Sequence, residues 1–115
     1  MQYLLTLYAD ESVFAKMSPE QQQKGFAAFQ AYIEALNKAG AYKASGRLGA
    51  SSSATRVQVV NGTPSVLDGP FIESKEQLGG YFLLDLPDLD AAISWAARCP
   101  GAQMGVVEVR PMWTA

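Results

Sequence analysis

Apolar positions recur along this 115-residue chain with two different periods, and the changes of period outline its elements. "QYLLTLY" (Gln2 to Tyr8) is an apolar run with few breakers and reads as a central strand buried on both faces. Ser18-Pro19-Glu20-Gln21 marks a helix start: Ser as N-cap, Pro at the first helical position, and Gln three residues on to complete a capping box. Phe26, Phe29, Ile33 and Leu36 then recur at steps of three and four, the stripe of a long amphipathic helix that Gly40 ends. "AYKASGRL" can form a short strand, and "GASSSA" reads as a flexible Ser-rich connection. "TRVQVV" alternates with period two, placing Thr55, Val57 and Val59 on one face. Asn61-Gly62 is a strong hairpin signal, and "SVLD" is the return strand. After "DGPFIESKEQLG", "GYFLLDL" reads as another buried strand. Pro87-Asp88 caps a second helix with Leu89, Ala92, Ile93 and Ala96 as its inner face, ended by Cys99-Pro100-Gly101. "GVVEVRP" is the last strand, Val107 and Val109 on one face, Glu108 and Arg110 on the other.

The order is β-α-β, an inserted hairpin, then β-α-β, which is the pattern of an α+β, ferredoxin-like fold in one domain spanning residues 1–115. Two helices cover one face of a four-stranded antiparallel sheet. The other face stays bare although its strands are apolar on both sides, and a bare apolar face of that size calls for cover. A second copy, sheet against sheet, supplies it, so a homodimer is expected.

Composition narrows the chemistry. The apolar share is 49%, enough for a real core, and the 9 basic against 11 acidic residues form no block of like charge. Direct nucleic-acid binding is not expected without a basic stripe, since neutralised phosphates supply most of that affinity. No apolar run approaches the length of a membrane span. "MQYLLTLYADES" lacks the basic start of a secretory signal, and the one cysteine, Cys99, allows no internal disulfide, so a cytoplasmic location without membrane contact is expected. There is no histidine, which removes the commonest base near neutral pH and the commonest metal ligand. No metal or organic cofactor is expected. Any catalysis must draw on carboxylates, Lys, Tyr, Arg, backbone amides or an external cofactor.

"DGPFIESKEQLGGYFLLDLPDLDAAISWAARCPG" followed by "GVVEVRP", with the N-terminal "YLLTLYADE" and the capped helix at Ser18, resembles the DGPF group of the YCII-related family. The likeness covers nearly the whole chain and implies a ferredoxin-like fold that pairs into a dimeric α/β barrel. Shorter relatives carry a His after a proline at the start of the first helix and an Asp before a proline at the end of the second, suggested to be catalytic. Here those positions hold Gln21 and Cys99, so that chemistry does not carry over. The resemblance also implies a link to sigma factors, through fusions found in the DGPF group.

Several residues can be read structurally or functionally. Asp68-Gly69-Pro70-Phe71 makes a turn in the first reading, Asp accepting from nearby backbone amides and Pro fixing φ, with Phe71 plugging the core or the dimer seam. In the second, Asp68 projects into a cleft walled by Phe71 and becomes the catalytic acid-base candidate, because a carboxyl beside an aromatic ring holds its proton more tightly. Glu73, Lys75 and Glu76 are a solvated face, or Lys75 reaches a pocket and meets an anion together with Arg47 or Arg110. Gly79-Gly80 suggests a bulge or a close backbone approach. Tyr3, Tyr8, Tyr81 and Phe82 pack a core, or line a hollow if the barrel has one. Cys99 reads as a buried, inert thiol or, in the alternative, as a nucleophile, with no histidine to activate it. The ligand-binding set is therefore Asp68, Phe71, Glu73, Lys75, Arg47, Tyr8 and Arg110, for a small apolar-to-anionic molecule. The alternatives are a protein-interaction module with a sigma factor as partner, recognised through Phe71 and residues 73–76, and a domain with no small ligand.

Overall fold

The computed structural model describes residues 1–69 and 75–114. In chain order it contains β1 (Gln2–Ala9), α1 (Glu11–Ala15), α2 (Pro19–Lys38), β2 (Tyr42–Arg47), a 3-10 turn (Ser51–Ser53), β3 (Thr55–Val60), β4 (Thr63–Asp68), β5 (Gln77–Asp85), α3 (Leu89–Arg98), α4 (Gly101–Met104) and β6 (Val106–Pro111). One sheet runs β2-β5-β1-β6 with every neighbouring pair antiparallel. Among the described residues β3 and β4 pair only with each other. The arrangement is ferredoxin-like, with a hairpin inserted between its halves.

Local chemistry sets the element ends. Ser18 accepts from the Gln21 N–H at 3.2 Å, and the Gln21 side chain accepts from the Ser18 N–H at 3.1 Å, the reciprocal box expected from sequence. Gly40 sits at φ +71° just beyond α2, a conformation in which a side chain is strained. Asn61 and Gly62 both have positive φ, 51° and 78°, as a two-residue hairpin turn of the mirror-image kind requires. The short helix α1 was not expected. Asp10 caps it, accepting from the Ser12 N–H at 2.9 Å and the Ser12 hydroxyl at 2.6 Å.

The core lies between the sheet and the helices. Tyr3 and Leu5 from β1 and Phe82 and Leu84 from β5 meet Tyr32 and Leu36 of α2, Ala92 and Ala96 of α3, and Cys99. The Tyr32 ring stands edge-on to Phe82 at 5.2 Å, and its hydroxyl donates to the Trp95 carbonyl at 2.7 Å, tying α2 to α3. Burying each large apolar side chain here contributes about 1.5–3 kcal/mol.

Two expectations are corrected. β1 is not buried on both faces of the protomer: Tyr3 and Leu5 are covered, while Leu4 and Thr6 between them are only half-buried. The inner face of α3 is also not the one expected. Ala92, Ala96 and the following Cys99 face the sheet and Trp95 turns toward Tyr32, leaving Leu89 exposed and Ile93 at 52% exposure. Trp95 is the larger anchor, and packing it inward rotates Ile93 off the covered stripe. Phe26 is likewise at the margin, 5.9 Å from Phe14 rather than inside the core.

Gly79-Gly80 does both things suggested for it. The β1–β5 register slips here, Leu7 facing Gly80 and Tyr8 facing Leu78, so Gly79 is the extra residue of a bulge. At Gly80 an added Cβ would lie 2.9 Å from the Gly46 carbonyl oxygen of β2.

The second sheet face carries rows fixed by register. Ala44, Leu83, Leu4 and Arg110 lie across it in one row, and Gly46, Tyr81, Thr6 and Glu108 in the next. No described helix is placed over this face. The hairpin stands apart: all six residues of β3 and all six of β4 are exposed, including Val57 at 63%, Val59 at 64% and Val66 at 60%. The radius of gyration, 16.2 Å, exceeds the roughly 13 Å expected of a compact chain of this length. Among the described residues no helix is long and apolar enough to cross a membrane.

Candidate functional site

The bulge opens a site at one end of the uncovered sheet face. Beyond it Tyr8 faces Leu78 on one side and Val106 on the other, so the ends of β1, β5 and β6 make an apolar floor. The segment 48–54 forms the opposite wall. Its start is tied to the sheet by the Leu48 N–H donating to the Gly79 carbonyl at 2.9 Å. Its middle is held from a distance: Glu11 accepts from both the N–H and the hydroxyl of Ser51, each at 2.8 Å. Ser53 closes the 3-10 turn by donating its hydroxyl to the Ala50 carbonyl at 2.6 Å. The Ser-rich connection expected to be flexible is thus fastened at both ends.

Between these walls lies an open groove of about 760 Å³. Tyr8, Leu48, Ala50, Ala54, Leu78 and Val106 supply its apolar lining, and Ser51, Ser53, Glu76, Gln77 and Glu108 its polar groups. The groove can hold a small ring or a short aliphatic body against Tyr8. Ser51, Ser53 and the carboxylates of Glu76 and Glu108 offer hydrogen-bond acceptors around it. Among the described residues no group of three or more Cys, Asp or Glu is placed to share an ion.

The residues proposed from sequence are dispersed. Tyr8 lines the groove. Arg110 is on the same face one row away, its Nε 4.0 Å from Glu108 Oε1. Arg47 lies on the helix side, its guanidinium carbon 4.8 Å and 4.9 Å from the ring centres of Phe14 and Phe26. Lys75 is exposed, and its charge acts on Asp10. The Asp10 carboxyl is held below its ordinary value chiefly by the Ser12 hydroxyl and amide, with Lys75 a smaller cause. Asp68 ends β4 opposite Thr55, whose hydroxyl donates to it at 3.3 Å, and it does not line the groove. Pro70, Phe71 and Glu73 lie outside the described residues.

Cys99 is fully buried beside Tyr32. Burial pushes its thiol up, only partly offset by the Gly101 and Ala102 amides. Sequence reading missed Leu48, Ser51 and the clamp from Glu11. The Glu11–Ser51 contact spans forty residues and has no local pattern to announce it. The glycine pair did mark the bulge that forms the floor.

Comparison with known proteins places these observations in context. The family described as the YCII-related domain matches residues 1–115. An uncharacterized protein of Rhizobium meliloti (strain 1021) is 34% identical over 114 residues, covering 97% of this chain and 92% of that one. Among solved structures, 5-chloro-2-hydroxyhydroquinone dehydrochlorinase from Burkholderia phenoliruptrix AC1100, in complex with 2,5-dihydroxybenzoquinone, superposes with a TM-score of 0.59. That likeness covers 100% of this chain and 96% of the other at 16% identity, and it shows a shared fold of the dimeric α/β-barrel class.

Proposed function

The chain belongs to the YCII-related family, and we propose that it is a cytoplasmic homodimer that binds a small, largely apolar molecule in the groove at the end of its sheet. The observation that carries this is the groove itself: its volume of about 760 Å³ falls in the roughly 300–1,000 Å³ range of small-molecule sites. A mostly apolar lining with a few polar groups is the usual make-up of such sites. The fold neighbour's ligand, 2,5-dihydroxybenzoquinone, is a single small ring, a size that suits this groove.

Two features depart from the expectation, the charge of the ligand and the acid-base candidates. The polar groups of the groove are hydroxyls, an amide and carboxylates, and neither Arg47 nor Lys75 lines it. A neutral ligand bearing hydrogen-bond donors, such as hydroxyl groups on a ring, suits it better than an anion. If the groove also supports catalysis, Glu108 and Glu76 are its acid-base candidates rather than Asp68. The homodimer is supported by the uncovered sheet face, where Leu4, Leu83 and Tyr81 lie in the middle strands. The sigma-factor alternative draws on Phe71 and residues 73–76, mostly outside the described residues, and no observation favours it over the groove.

A thermal-shift screen against a library of small metabolites tests this, since a ligand that binds only the native state raises apparent stability. A hit should be lost in Leu48→Glu, a half-exposed groove residue whose change spares the core. The same hit should survive in Asp68→Asn. Loss in Asp68→Asn with retention in Leu48→Glu would move the site away from the groove.

A further inference from the structure

We propose that the β3–β4 hairpin is an arm that lies on a second copy of this chain, its Val57–Val59–Pro64–Val66 face turned toward the partner. The proposal rests on the homodimer above and adds an element to its interface. Cross-strand register gives the hairpin two unequal faces. Val57 lies opposite Val66 and Val59 opposite Pro64, whereas on the other side the Gln58–Ser65 pair separates Val60, opposite Thr63, from Leu67, opposite Arg56. The first face is therefore a continuous apolar ridge, and all of it is exposed in the protomer.

An isolated two-stranded hairpin is marginally stable in water, and strands rich in β-branched residues gain stability by packing against a surface. This hairpin has a well-formed turn, with Asn61 and Gly62 both at positive φ, but no core of its own. The missing surface has to come from elsewhere.

Area and position identify it as a second copy. Four strands of about six residues present a footprint of about 400 Å² at the usual strand spacing and rise. That is about half of the roughly 800 Å² each partner contributes to a standard stable interface. The hairpin adds about 200 Å² on one face by the same measure, and a two-fold axis uses each arm once in each direction. The arm is also continuous with the uncovered sheet face. At its root the Gly69 N–H donates to the Ala54 carbonyl, and Ala54 lines the groove that opens on that face. Arg56 and Asp68, its charged residues, sit near the root, so the tip from Val57 to Leu67 is neutral. A neutral apolar ridge suits the apolar surface of a like chain better than a charged partner.

Dilution calorimetry gives the dimer dissociation constant of the full chain, of the double variant Val57→Asp/Val66→Asp, and of Ser65→Asp on the opposite face. The double variant should weaken association at least about 100-fold, as loss of a central apolar contact does, and Ser65→Asp should change it less than about threefold. Replacing residues 57–66 by Gly-Gly, which adds no charge, should weaken it as much as the double variant. Circular dichroism should show the sheet and helices intact in all three, because the core holds none of these residues. In hydrogen exchange, amides of β3 and β4 should be protected in the dimer beyond what the free arm shows. An unchanged dissociation constant in the double and shortened variants overturns the arm and leaves the dimer standing. A full chain that stays monomeric at every concentration overturns the dimer and the arm together.

Discussion

The four-stranded sheet and the β3–β4 hairpin are made from the same apolar residue types, and they end in opposite environments. In the sheet, Tyr3, Leu5, Phe82 and Leu84 point at helices and are buried. In the hairpin, Val57, Val59 and Val66 meet no helix among the described residues and stay more than half exposed. The difference is connectivity: each strand of the sheet borders a crossover that brings a helix back over one face, and a hairpin with a two-residue turn brings back only its own partner strand. Alternation therefore fixes which side chains share a face, and connection length decides whether the same chain can cover that face.

This contrast can be broken in a graded way. Phe82→Ala should have the largest effect, about 3–5 kcal/mol of stability by urea unfolding, because it empties the space between Phe29 and Tyr32. Gly80→Ala should come next at about 1–3 kcal/mol, since its Cβ meets β2 backbone that cannot swing aside. Tyr32→Phe should cost about 1 kcal/mol by removing the bond to the Trp95 carbonyl. Val66→Ala, measured at concentrations where the protomer is alone, should cost less than about 0.5 kcal/mol. A Val66→Ala loss comparable to Phe82→Ala would mean that the hairpin belongs to the protomer core after all.

The buried side also has a pH signature. Burial raises both the Cys99 thiol, above its ordinary 9.0, and the Tyr32 hydroxyl, above its ordinary 10.0. Groups held protonated in the folded state contribute stability that is complete below the unfolded values and is lost as pH rises through the folded ones. Stability should therefore be flat in these terms near neutrality and fall above pH 9.0. Cys99→Ala and Tyr32→Phe should each make that fall shallower. Alkylation of the native thiol at neutral pH should be slow, and fast labelling would place Cys99 at an accessible, activated position instead.

Much of this was legible in the sequence because it is local. Ser18 with Gln21, Asn61-Gly62, Gly40 and the glycine pair at 79–80 each announce a backbone event within a few residues. Facing was less legible. Ile93 has the right spacing for the core, but the bulk of Trp95 sets the rotation of α3. The site was least legible, since it is assembled from strand ends, a distant Glu11 and the 48–54 segment. Tyr8 lines the groove, whereas Arg47 lies on the other side of the sheet: its strand position turns it under Phe14 and Phe26.

The central claim is that the uncovered rows through Leu4, Thr6 and Tyr81 face a second copy. Sedimentation equilibrium of the full chain across nanomolar to micromolar concentrations tests it most directly. A species of twice the 12.4 kDa chain mass that dissociates only on dilution is expected. A single species of 12.4 kDa throughout, with the chain folded, would contradict it.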